Sequence, residues 1–394
     1  MLPLSDVRIL AISQFGAGPY AMTQLADLGA EIVKIEYPAT GGDVGRYVPP
    51  GAIDGDSLYY QSLNRNTRSL TLDLRDPRGQ AIFHELVRTS DAVFNNLRGD
   101  QPAALGLTYA DLSPFNPTIV CVSLSGFGTT GPRALEPGYD YLIQAYAGFM
   151  SLTGEPDGPP ARGGVSFVDF SAGLAAGLAL VSGVMQARAT GTGTDVDVSL
   201  LDTAVSMLNY LAAWTLNSDF RPERLPDSSH PTLYPSQVFE TSDGHLVIMC
   251  AKEKFWIALV ERMELPELRD ERYRSFGDRL QNRETLIPLL KAEFRKHPTE
   301  WWLDRLRGVV PCAPVNTVET ALADVQVAAR ELLVEVEHPT FGTLKQTASA
   351  VRFPGAQREH RPGSALGADI EEILRERARL DEETIADLRR DGVI

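Results

Sequence analysis

Cysteine is scarce in this chain, and basic residues are outnumbered by acidic ones. The 394 residues include three cysteines, Cys121, Cys250 and Cys312, which are widely spaced and form no CxxC or metal-ligand pattern. We therefore expect free thiols in a reducing compartment, and we predict a cytoplasmic location. Lys and Arg number 37 against 52 Asp and Glu, a net charge of −15, which disfavours nucleic acid and anionic membranes as partners.

The sequence also lacks a basic start followed by an apolar run, so no signal peptide is predicted. Its most apolar stretch is "FSAGLAAGLALVSGVMQA", which is rich in small residues and ends at Arg188. This stretch is short for a membrane span, and a buried helix is predicted instead. The six histidines are scattered without metal-ligand spacing, so no metal is predicted.

A glycine turn stands between two apolar runs near the start of the chain. The segment "GAGPYA" at 16–21 fits the pattern G-x-G-x-x-G/A, and an amphipathic helical pattern follows it. The next apolar run, "EIVKIE", predicts a strand that ends at Glu36, where a dinucleotide site would hold a ribose hydroxyl. A βαβ unit is predicted, and an NAD-dependent oxidoreductase is one function that the turn leaves open.

Strand and helix signals alternate through the first two hundred residues. The predicted strands include "SLTLD", "DAVFNN", "TIVCVSLSGF" and "GTGTDVDVSL", and Asp76 with Pro77 predicts the start of a helix. A single long apolar helix is predicted from Leu201 to about Leu216. This alternation indicates a doubly wound α/β domain.

The composition changes after this helix. Four prolines within 217–235 predict an extended linker. We predict that 1–216 form the first part of a large Rossmann-like domain and that 236–325 form a smaller α+β domain. Residues 326–394 would supply a return linker and the C-terminal part of the large domain.

Six blocks occur in one order along nearly the whole chain. They are "QFGAGPYAMTQLADLGAEIVKIE", "LNRNTRSLTLDLRDPRG", "PGYDYLIQAYAG", "VDFSAG", "GTGTDVDVSLLDTA" and "VPCAPVNTVETALADVQV". Together they resemble the class III CoA-transferase family, which includes formyl-CoA transferase, carnitine CoA-transferase and the α-methylacyl-CoA racemases. The resemblance implies an interlocked homodimer whose glycine turn meets CoA rather than NAD. It also implies acyl-CoA and a carboxylic acid as substrates, with no tightly bound cofactor.

The resemblance further implies which residues contact CoA. These residues are Phe15, Gly16, Ala17, Leu72, Arg75, Asn96, Leu97, Leu105 and Tyr139.

Positive charge is a separate requirement, because CoA carries phosphates. The arginines near predicted strand ends are Arg65, Arg68, Arg75 and Arg98. Some relatives carry an arginine directly after the residue that matches Glu36, where this chain has Tyr37. We therefore add Arg98 to the predicted CoA-contacting residues as a substitute for that charge.

Asp169 is the predicted catalytic residue. By itself, an Asp at a strand-to-helix junction is a favoured N-cap, whose carboxylate would bind the free amides of Ser171 or Ala172. The resemblance instead makes Asp169 the nucleophile that forms an anhydride and then a thioester with CoA. The two roles are compatible, because a helix N-terminus is expected to keep the carboxylate ionised.

CoA transfer is therefore the predicted function. Besides NAD-dependent oxidation, two other functions are alternatives to it. In the racemase branch of the family, a His begins the block in which this chain has Tyr139. A phenol with a pKa of about 10 is a poor base for an α-proton, so racemisation is the alternative within the family. Asp140, next to it, is predicted to cap its helix or orient a substrate. A dimeric protein that binds acyl-CoA without exchanging it is the other alternative.

Overall fold

Strands and helices alternate along the part of the chain that the computed structural model describes, which comprises residues 1–53, 55–355 and 360–394. The strands are β1 (Arg8–Ile12), β2 (Glu31–Glu36), β3 (Ala52–Ile53), β4 (Asp56–Ser57), β5 (Thr67–Thr71), β6 (Ala92–Asn95), β7 (Val120–Ser125), β8 (Thr194–Ser199), β9 (Ser236–Glu240), β10 (His245–Met249), β11 (Cys312–Pro314), β12 (Leu333–His338) and β13 (Gly342–Thr347). The α-helices are α1 (Ala17–Asp27), α2 (Leu58–Asn64), α3 (Pro77–Val87), α4 (Gln101–Ala104), α5 (Tyr109–Leu112), α6 (Asp140–Tyr146), α7 (Phe167–Thr190), α8 (Leu200–Met207), α9 (Asn209–Asn217), α10 (Glu253–Met263), α11 (Phe276–Gln281), α12 (Arg283–Phe294), α13 (Thr299–Leu306), α14 (Val318–Leu322), α15 (Val325–Ala329), α16 (Ile370–Arg377) and α17 (Glu382–Arg390).

A six-stranded parallel sheet organises the larger part of the molecule. Its strand order is β5-β2-β1-β6-β7-β8, and every neighbouring pair is parallel. The chain moves outward from β1 in one direction and then returns to β6 on the other side, which is the order of doubly wound nucleotide-binding sheets. The predicted α/β class is therefore confirmed, and the carboxyl ends of β1 and β6 mark the crevice where such sheets bind ligands.

The sheet is apolar because helices cover both of its faces. Leu10, Val33, Leu70 and Val93, from four adjacent strands, are all 0% exposed. On one face their cluster continues into side chains of α3, α16 and α17. On the other face lie α1 and α7, which pack on each other and bring two helix N-termini close together. Strands buried in this way read as nearly continuous apolar runs.

Helix α7 is both long and strongly apolar. By length and composition it is long enough to cross a membrane, with a mean hydropathy of 1.7, and half of its most apolar window is buried. Small residues bring it close to its neighbours: a Cβ on Gly173 would lie 2.7 Å from the carbonyl oxygen of Ala17, and one on Gly183 would lie 2.7 Å from Val120. The glycines predicted within a buried helix therefore serve close packing.

Contacts divide the chain into two compact units. The first contains Met1–Ala147, Gly164–Asn209 and Ala328–Ile394, and the second contains Gly148–Gly163 and Tyr210–Val327. The second unit has its own antiparallel sheet, ordered β11-β10-β9, and its own core, which includes Phe239, Leu290 and Trp302. The division at 216, 235 and 325 stays a prediction.

Two element predictions were wrong. Asp169 does not follow a strand as predicted, because α7 already begins at Phe167 and residues 161–166 form no strand. The apolar helix predicted from Leu201 to Leu216 is two helices, α8 and α9, because the backbone of Asn209 takes a φ of 40°. Asn tolerates this left-handed conformation better than most residues, so it can interrupt a helix that an apolar pattern alone would continue.

Candidate active site

The glycine turn joins β1 to α1 at the crevice of the sheet. Gly16 is the N-cap of α1, and no side chain caps this helix. A Cβ on Gly18 would lie 2.7 Å from Cγ of Asn96, and the Asn96 amide fixes the turn by accepting from the N–H of Gln14 at 2.9 Å and donating to its carbonyl at 2.8 Å. Glycine is required here because the end of β6 and the turn approach too closely for a side chain.

Asp169 lies directly beside this turn. A Cβ on Gly16 would be 2.6 Å from Oδ2 of Asp169, so only glycine leaves room for the carboxylate. Asp169 is the third residue of α7, and 7% of it is exposed. The N-terminus of α1 and the first turn of α7 thus meet at one buried carboxylate.

The surroundings of this carboxylate oppose its ionisation more than the helix N-terminus predicted. Burial, together with the negative charge of nearby Asp140, raises the pKa of Asp169 from 3.8 to about 7. No Lys or Arg among residues 1–53, 55–355 and 360–394 lies within 4 Å to offset the cost of burial. Desolvation and a like charge therefore outweigh the helix N-terminus.

The capping interpretation of Asp169 was also wrong, because Asp140 supplies the cap. Oδ2 of Asp140 accepts from the backbone N–H groups of Val168 at 2.9 Å and Asp169 at 3.0 Å, and Gln144 donates to Oδ1. Asp140 was predicted to cap its own helix or to orient a substrate; it is the first residue of α6, and its carboxylate caps α7. It therefore fixes the backbone of the candidate nucleophile.

Three aromatic side chains surround the turn. The Phe15 ring lies 5.3 Å from the ring of Tyr59 and 6.2 Å, edge to face, from that of Tyr139. The hydroxyl of Tyr59 would lie 3.6 Å from a Cβ on Gly16. Burial and the charge of Asp169 raise the pKa of Tyr59 well above its ordinary value, so this phenol stays protonated and can donate a hydrogen bond.

Two adjoining clefts open at the strand ends next to the turn. The first, the strand-end cleft, includes among its lining residues Leu72, Arg75, Leu97, Leu105, Tyr37 and Gln101. The second, the turn cleft, includes Phe15, Ala17, Asn96, Leu97, Arg98 and Tyr139. The clefts share Gln14, Leu97 and Gln101. Every predicted CoA-contacting residue except Gly16 lines one of them, and Gly16 contacts Asp169. Their contact with CoA stays a prediction.

The four candidate arginines have different surroundings. Arg65 is buried and pairs with Asp27 at 2.6 Å, and Arg68 pairs with Glu31 and Glu372; neither lines the strand-end cleft or the turn cleft. Arg98 lines the turn cleft, but its guanidinium is held by Asp100. Arg75 lies over the ring of Tyr37, 4.8 Å from its centre, inside the strand-end cleft. It is thus the predicted arginine best available to a phosphate.

The Glu36 carboxylate already accepts four hydrogen bonds, so it is not available to a ribose hydroxyl. Its carboxylate accepts from Arg46 through Nε at 2.9 Å and Nη2 at 2.7 Å, and also from the hydroxyl of Ser69 and the N–H of Asp43. Burial alone would raise the pKa of Glu36, but the hydrogen bonds and charge of Arg46, with Lys34 nearby, lower it below the ordinary value. The residue that suggested a dinucleotide site is instead part of a buried ion pair.

Sequence reasoning missed two residues of this site. Tyr59 belongs to α2, and nothing in its local pattern relates it to a turn more than forty residues away. Asp43 accepts from the backbone N–H of Phe15, and only the setting "GGDVG" hinted at a turn residue. Among residues 1–53, 55–355 and 360–394, no group of three or more His, Cys, Asp or Glu side chains could hold a metal.

The fold and the site together define an α/β protein with a ligand crevice at the sheet's switch point and a buried, uncompensated carboxylate beside it. Residues 4–369 match the family model described as "CoA-transferase family III", so the chain belongs to this family. It is 36% identical over 397 residues to "Succinyl-CoA:glutarate CoA-transferase" of Mus musculus, covering 100% of this chain and 91% of the relative.

Two further comparisons agree with this membership. The chain is 34% identical to "Succinate--glutarate CoA-transferase" of Agrobacterium fabrum, over 95% of each protein. A crystal structure of a "CAIB/BAIF family protein" from Brucella suis superposes with a TM-score of 0.82 at 32% identity, covering 96% of this chain and 99% of that one. The family resemblance stated from the sequence is therefore confirmed, and so is a transferase of CoA as its class of activity.

Proposed function

We propose that this protein moves CoA from an acyl-CoA donor to a carboxylic acid acceptor, with Asp169 as the covalent nucleophile. The single observation that carries the proposal is the Asp169 carboxylate. It is buried, no Lys or Arg in the described part of the chain pairs with it, and it lies so near the turn that a Cβ on Gly16 would be 2.6 Å from its Oδ2. Its pKa of about 7 leaves a large fraction ionised at neutral pH, and a carboxylate of raised pKa is a stronger nucleophile than an ordinary one.

The first half of the reaction transfers CoA to the enzyme. An oxygen of Asp169 attacks the thioester carbonyl of acyl-CoA, the C–S bond breaks, and CoA thiolate leaves a mixed anhydride of Asp169 with the donor acyl group. The thiolate then attacks the aspartyl carbonyl, which releases the donor acid as a carboxylate and leaves an aspartyl-CoA thioester.

The second half repeats these steps in reverse order. The acceptor carboxylate attacks the aspartyl-CoA carbonyl and expels CoA thiolate, forming a new anhydride. The thiolate then attacks the acceptor's acyl carbon, which releases acceptor-CoA and regenerates the Asp169 carboxylate. Water must be excluded because each intermediate can hydrolyse, and the low exposure of Asp169 supports this requirement.

Backbone N–H groups are the proposed stabilisers of the charge that develops on the aspartyl carbonyl oxygen. The first turn of α1 begins beside the Asp169 carboxylate, and no side chain caps it. Donors of this kind are fixed before the reaction, so they stabilise a transient oxyanion without reorganising. The Tyr59 hydroxyl is a further candidate donor near the same carboxylate.

CoA itself is proposed to occupy the two clefts. Leu72, Leu97 and Leu105 supply apolar walls to the strand-end cleft, and Arg75 supplies charge for phosphate. The turn cleft would then lead the thioester past Phe15 and Tyr139 towards Gly16. Arg98 would have to exchange Asp100 for a phosphate in order to contribute.

The relatives suggest which acids to test first. One name pairs succinyl-CoA with glutarate and the other pairs succinate with glutarate, and another relative, 34% identical, is an "Acetyl-CoA:oxalate CoA-transferase" of Acetobacter aceti. We therefore propose short dicarboxylic acids as substrates, with succinyl-CoA as the first donor to assay. Racemisation stays the alternative within the family, but Tyr139 is a phenol and Asp140 is committed to two backbone N–H groups.

Assembly and location remain part of the proposal. Exposed apolar side chains follow the outer sides of α6, α7 and α8, including Leu142, Leu178 and Met185, and such surfaces are usually covered by another chain. We propose a homodimer, and a single folded monomer in sedimentation at nanomolar concentration would contradict it. The three free thiols support a cytoplasmic location.

Trapping of the aspartyl-CoA thioester tests the proposed function. The wild-type protein is incubated with succinyl-CoA, treated with hydroxylamine and digested. The mass of the peptide that contains Asp169 is then measured by mass spectrometry. We expect a hydroxamate at Asp169 in the wild type and none in the Asp169→Asn control. Transfer without modification, or modification of another residue, would exclude Asp169 as the nucleophile.

A further inference from the structure

Phe15 has an unusual backbone for a bulky residue. Its φ is 64°, in the left-handed region that few residues other than Gly, Asn and Asp adopt readily. Such a conformation persists only where neighbouring groups impose it, and these positions concentrate at functional sites. Phe15 immediately precedes Gly16, so its conformation sets the path of the turn that contacts Asp169.

The carboxylate of Asp43 binds the backbone of Phe15 directly. Its Oδ1 accepts from the N–H of Phe15 at 2.9 Å and from the N–H of Gly45 at 2.8 Å. Its Oδ2 accepts from Nζ of Lys34 at 2.6 Å, and the same Nζ donates to Oδ1 of Asn64 at 2.8 Å. The side chains of Lys34 and Asp43 are each 1% exposed, so water does not compete for these bonds.

The turn has little freedom to move without affecting Asp169. The gap beside Gly16 is smaller than a methyl group, because an added Cβ would lie 2.6 Å from Oδ2 of Asp169. The Phe15 ring also contacts the rings of Tyr59 and Tyr139. A return of Phe15 to negative φ would therefore shift both the N-terminus of α1 and the wall of the turn cleft.

We propose that Asp43, held by Lys34, is a positioning residue for CoA transfer: it locks Phe15 in the left-handed conformation that aligns the glycine turn with Asp169. This inference rests on the proposed function. Asp43 does not touch the reacting atoms, and it acts through the backbone of the turn.

A second buried ion pair provides an external control. Arg65 Nη2 lies 2.6 Å from Oδ2 of Asp27, the same distance as in the Lys34–Asp43 pair, and these side chains are 2% and 3% exposed. Asp27 is the last residue of α1, and Gly16 directly precedes the first. The Arg65–Asp27 pair therefore lies at the end of α1 that is opposite to the glycine turn. Loss of either pair should affect stability, but only the Lys34–Asp43 pair should affect catalysis.

Two charge-neutral double variants isolate the hydrogen bond to Phe15. Lys34→Met with Asp43→Leu removes the acceptor, whereas Lys34→Met with Asp43→Asn keeps an amide oxygen for the N–H of Phe15. Neither leaves an unpaired buried charge, and such replacements are often tolerated. We expect kcat to fall about 10²-fold in the Leu variant, as for a small displacement of reacting groups, and to stay much closer to wild type in the Asn variant.

The control variant, Arg65→Met with Asp27→Leu, should keep a kcat near that of wild type. Equal kcat values in the Leu and Asn variants, or an equal loss in the control, would overturn the inference. A crystal structure of the Leu variant gives a readout independent of activity: residue 15 should have a negative φ, and a retained positive φ would also overturn it. Failure of hydroxylamine trapping in the wild type would instead reject the proposed function, so the two failures are distinguishable.

Discussion

Glu36 and Asp169 are two buried carboxylates in the same unit, and their surroundings differ in one respect. They are 3% and 7% exposed, so both have lost most of their contact with water. Glu36 receives a bidentate Arg46 and two further donors, and its pKa is lowered, whereas Asp169 has Asp140 as its charged neighbour and its pKa is raised to about 7. Burial alone therefore does not decide the pKa of a carboxylate; burial without a compensating cation raises it.

The largest expected effect concerns Asp169. Asp169→Asn keeps the shape of the side chain but removes the nucleophilic oxygen, so CoA transfer should fall by about 10⁴-fold or more. Binding of CoA, measured by calorimetry, should change little because the clefts are intact. If the variant retains the wild-type rate, Asp169 is not the nucleophile and has no catalytic role that Glu36 lacks.

Arg46→Met tests the paired carboxylate. It leaves Glu36 buried without its cation, so the free energy of unfolding should fall by about 3–5 kcal/mol in urea titration. Arg390→Met, at an exposed pair with Asp387, is the control and should have little effect. A loss no greater than that of the control would contradict the structural role of the Glu36–Arg46 pair.

Asp169→Asn should change stability in the opposite direction. The pKa of Asp169 lies above its ordinary value of 3.8, so the folded wild type holds its proton more tightly and loses stability as pH rises from about 4 to about 7. The Asn variant avoids this loss, with a gain of at most about 4 kcal/mol above pH 7 that disappears towards pH 4. Thermal unfolding at several pH values measures it, and a pH-independent difference would reject the raised pKa.

The same titration should govern the rate. Because the ionised form of Asp169 is the proposed nucleophile, kcat/KM should fall about tenfold per pH unit below a pKa near 7. Asp140→Asn keeps an oxygen for the N–H groups of Val168 and Asp169 but removes a negative charge, so this acid limb should move to lower pH. An unchanged profile would show that Asp140 has no electrostatic influence on the nucleophile.

The smallest expected effect concerns the strand-end cleft. Arg75→Ala should weaken CoA binding about fivefold, the size expected for one partly exposed charge pair, and the loss should shrink as salt rises. Arg78→Ala is the control, because its guanidinium is already held by Asp76 and Asp391. Equal dissociation constants for wild type and Arg75→Ala at low salt would remove Arg75 from the site.

Local patterns predicted those parts of the fold that depend on neighbouring residues. The helix after Asp76 begins as expected, because Asp76 accepts from the N–H of Arg78 and Pro77 is the first helical residue. The apolar runs around the glycine turn became β1 and β2, and the predicted CoA-contacting residues lie together around two clefts. The prediction of one continuous helix through Leu216 was wrong because the backbone angle φ of Asn209 interrupts it.

Pairings between distant residues could not be read in this way. Arg65 and Arg68 have the same sequence signature as Arg75, yet their partners remove them from the clefts. Asp140 caps a helix that begins more than twenty residues later. Nothing in the spacing of these residues reveals their partners, because the fold brings together elements that the sequence separates.

The sequence by itself determined the alternation of strands and helices, the glycine turn and the position of Asp169 at the start of α7, because capping, turn and periodicity rules act over a few residues. The tertiary structure decided which charges are neutralised. It gave Glu36 the guanidinium of Arg46 and gave the turn the carboxylate of Asp43, but it paired Asp169 with no Lys or Arg of the residues that the structure describes. The physical reason is that desolvation and Coulomb energies depend on distances in space, which only the packed molecule fixes.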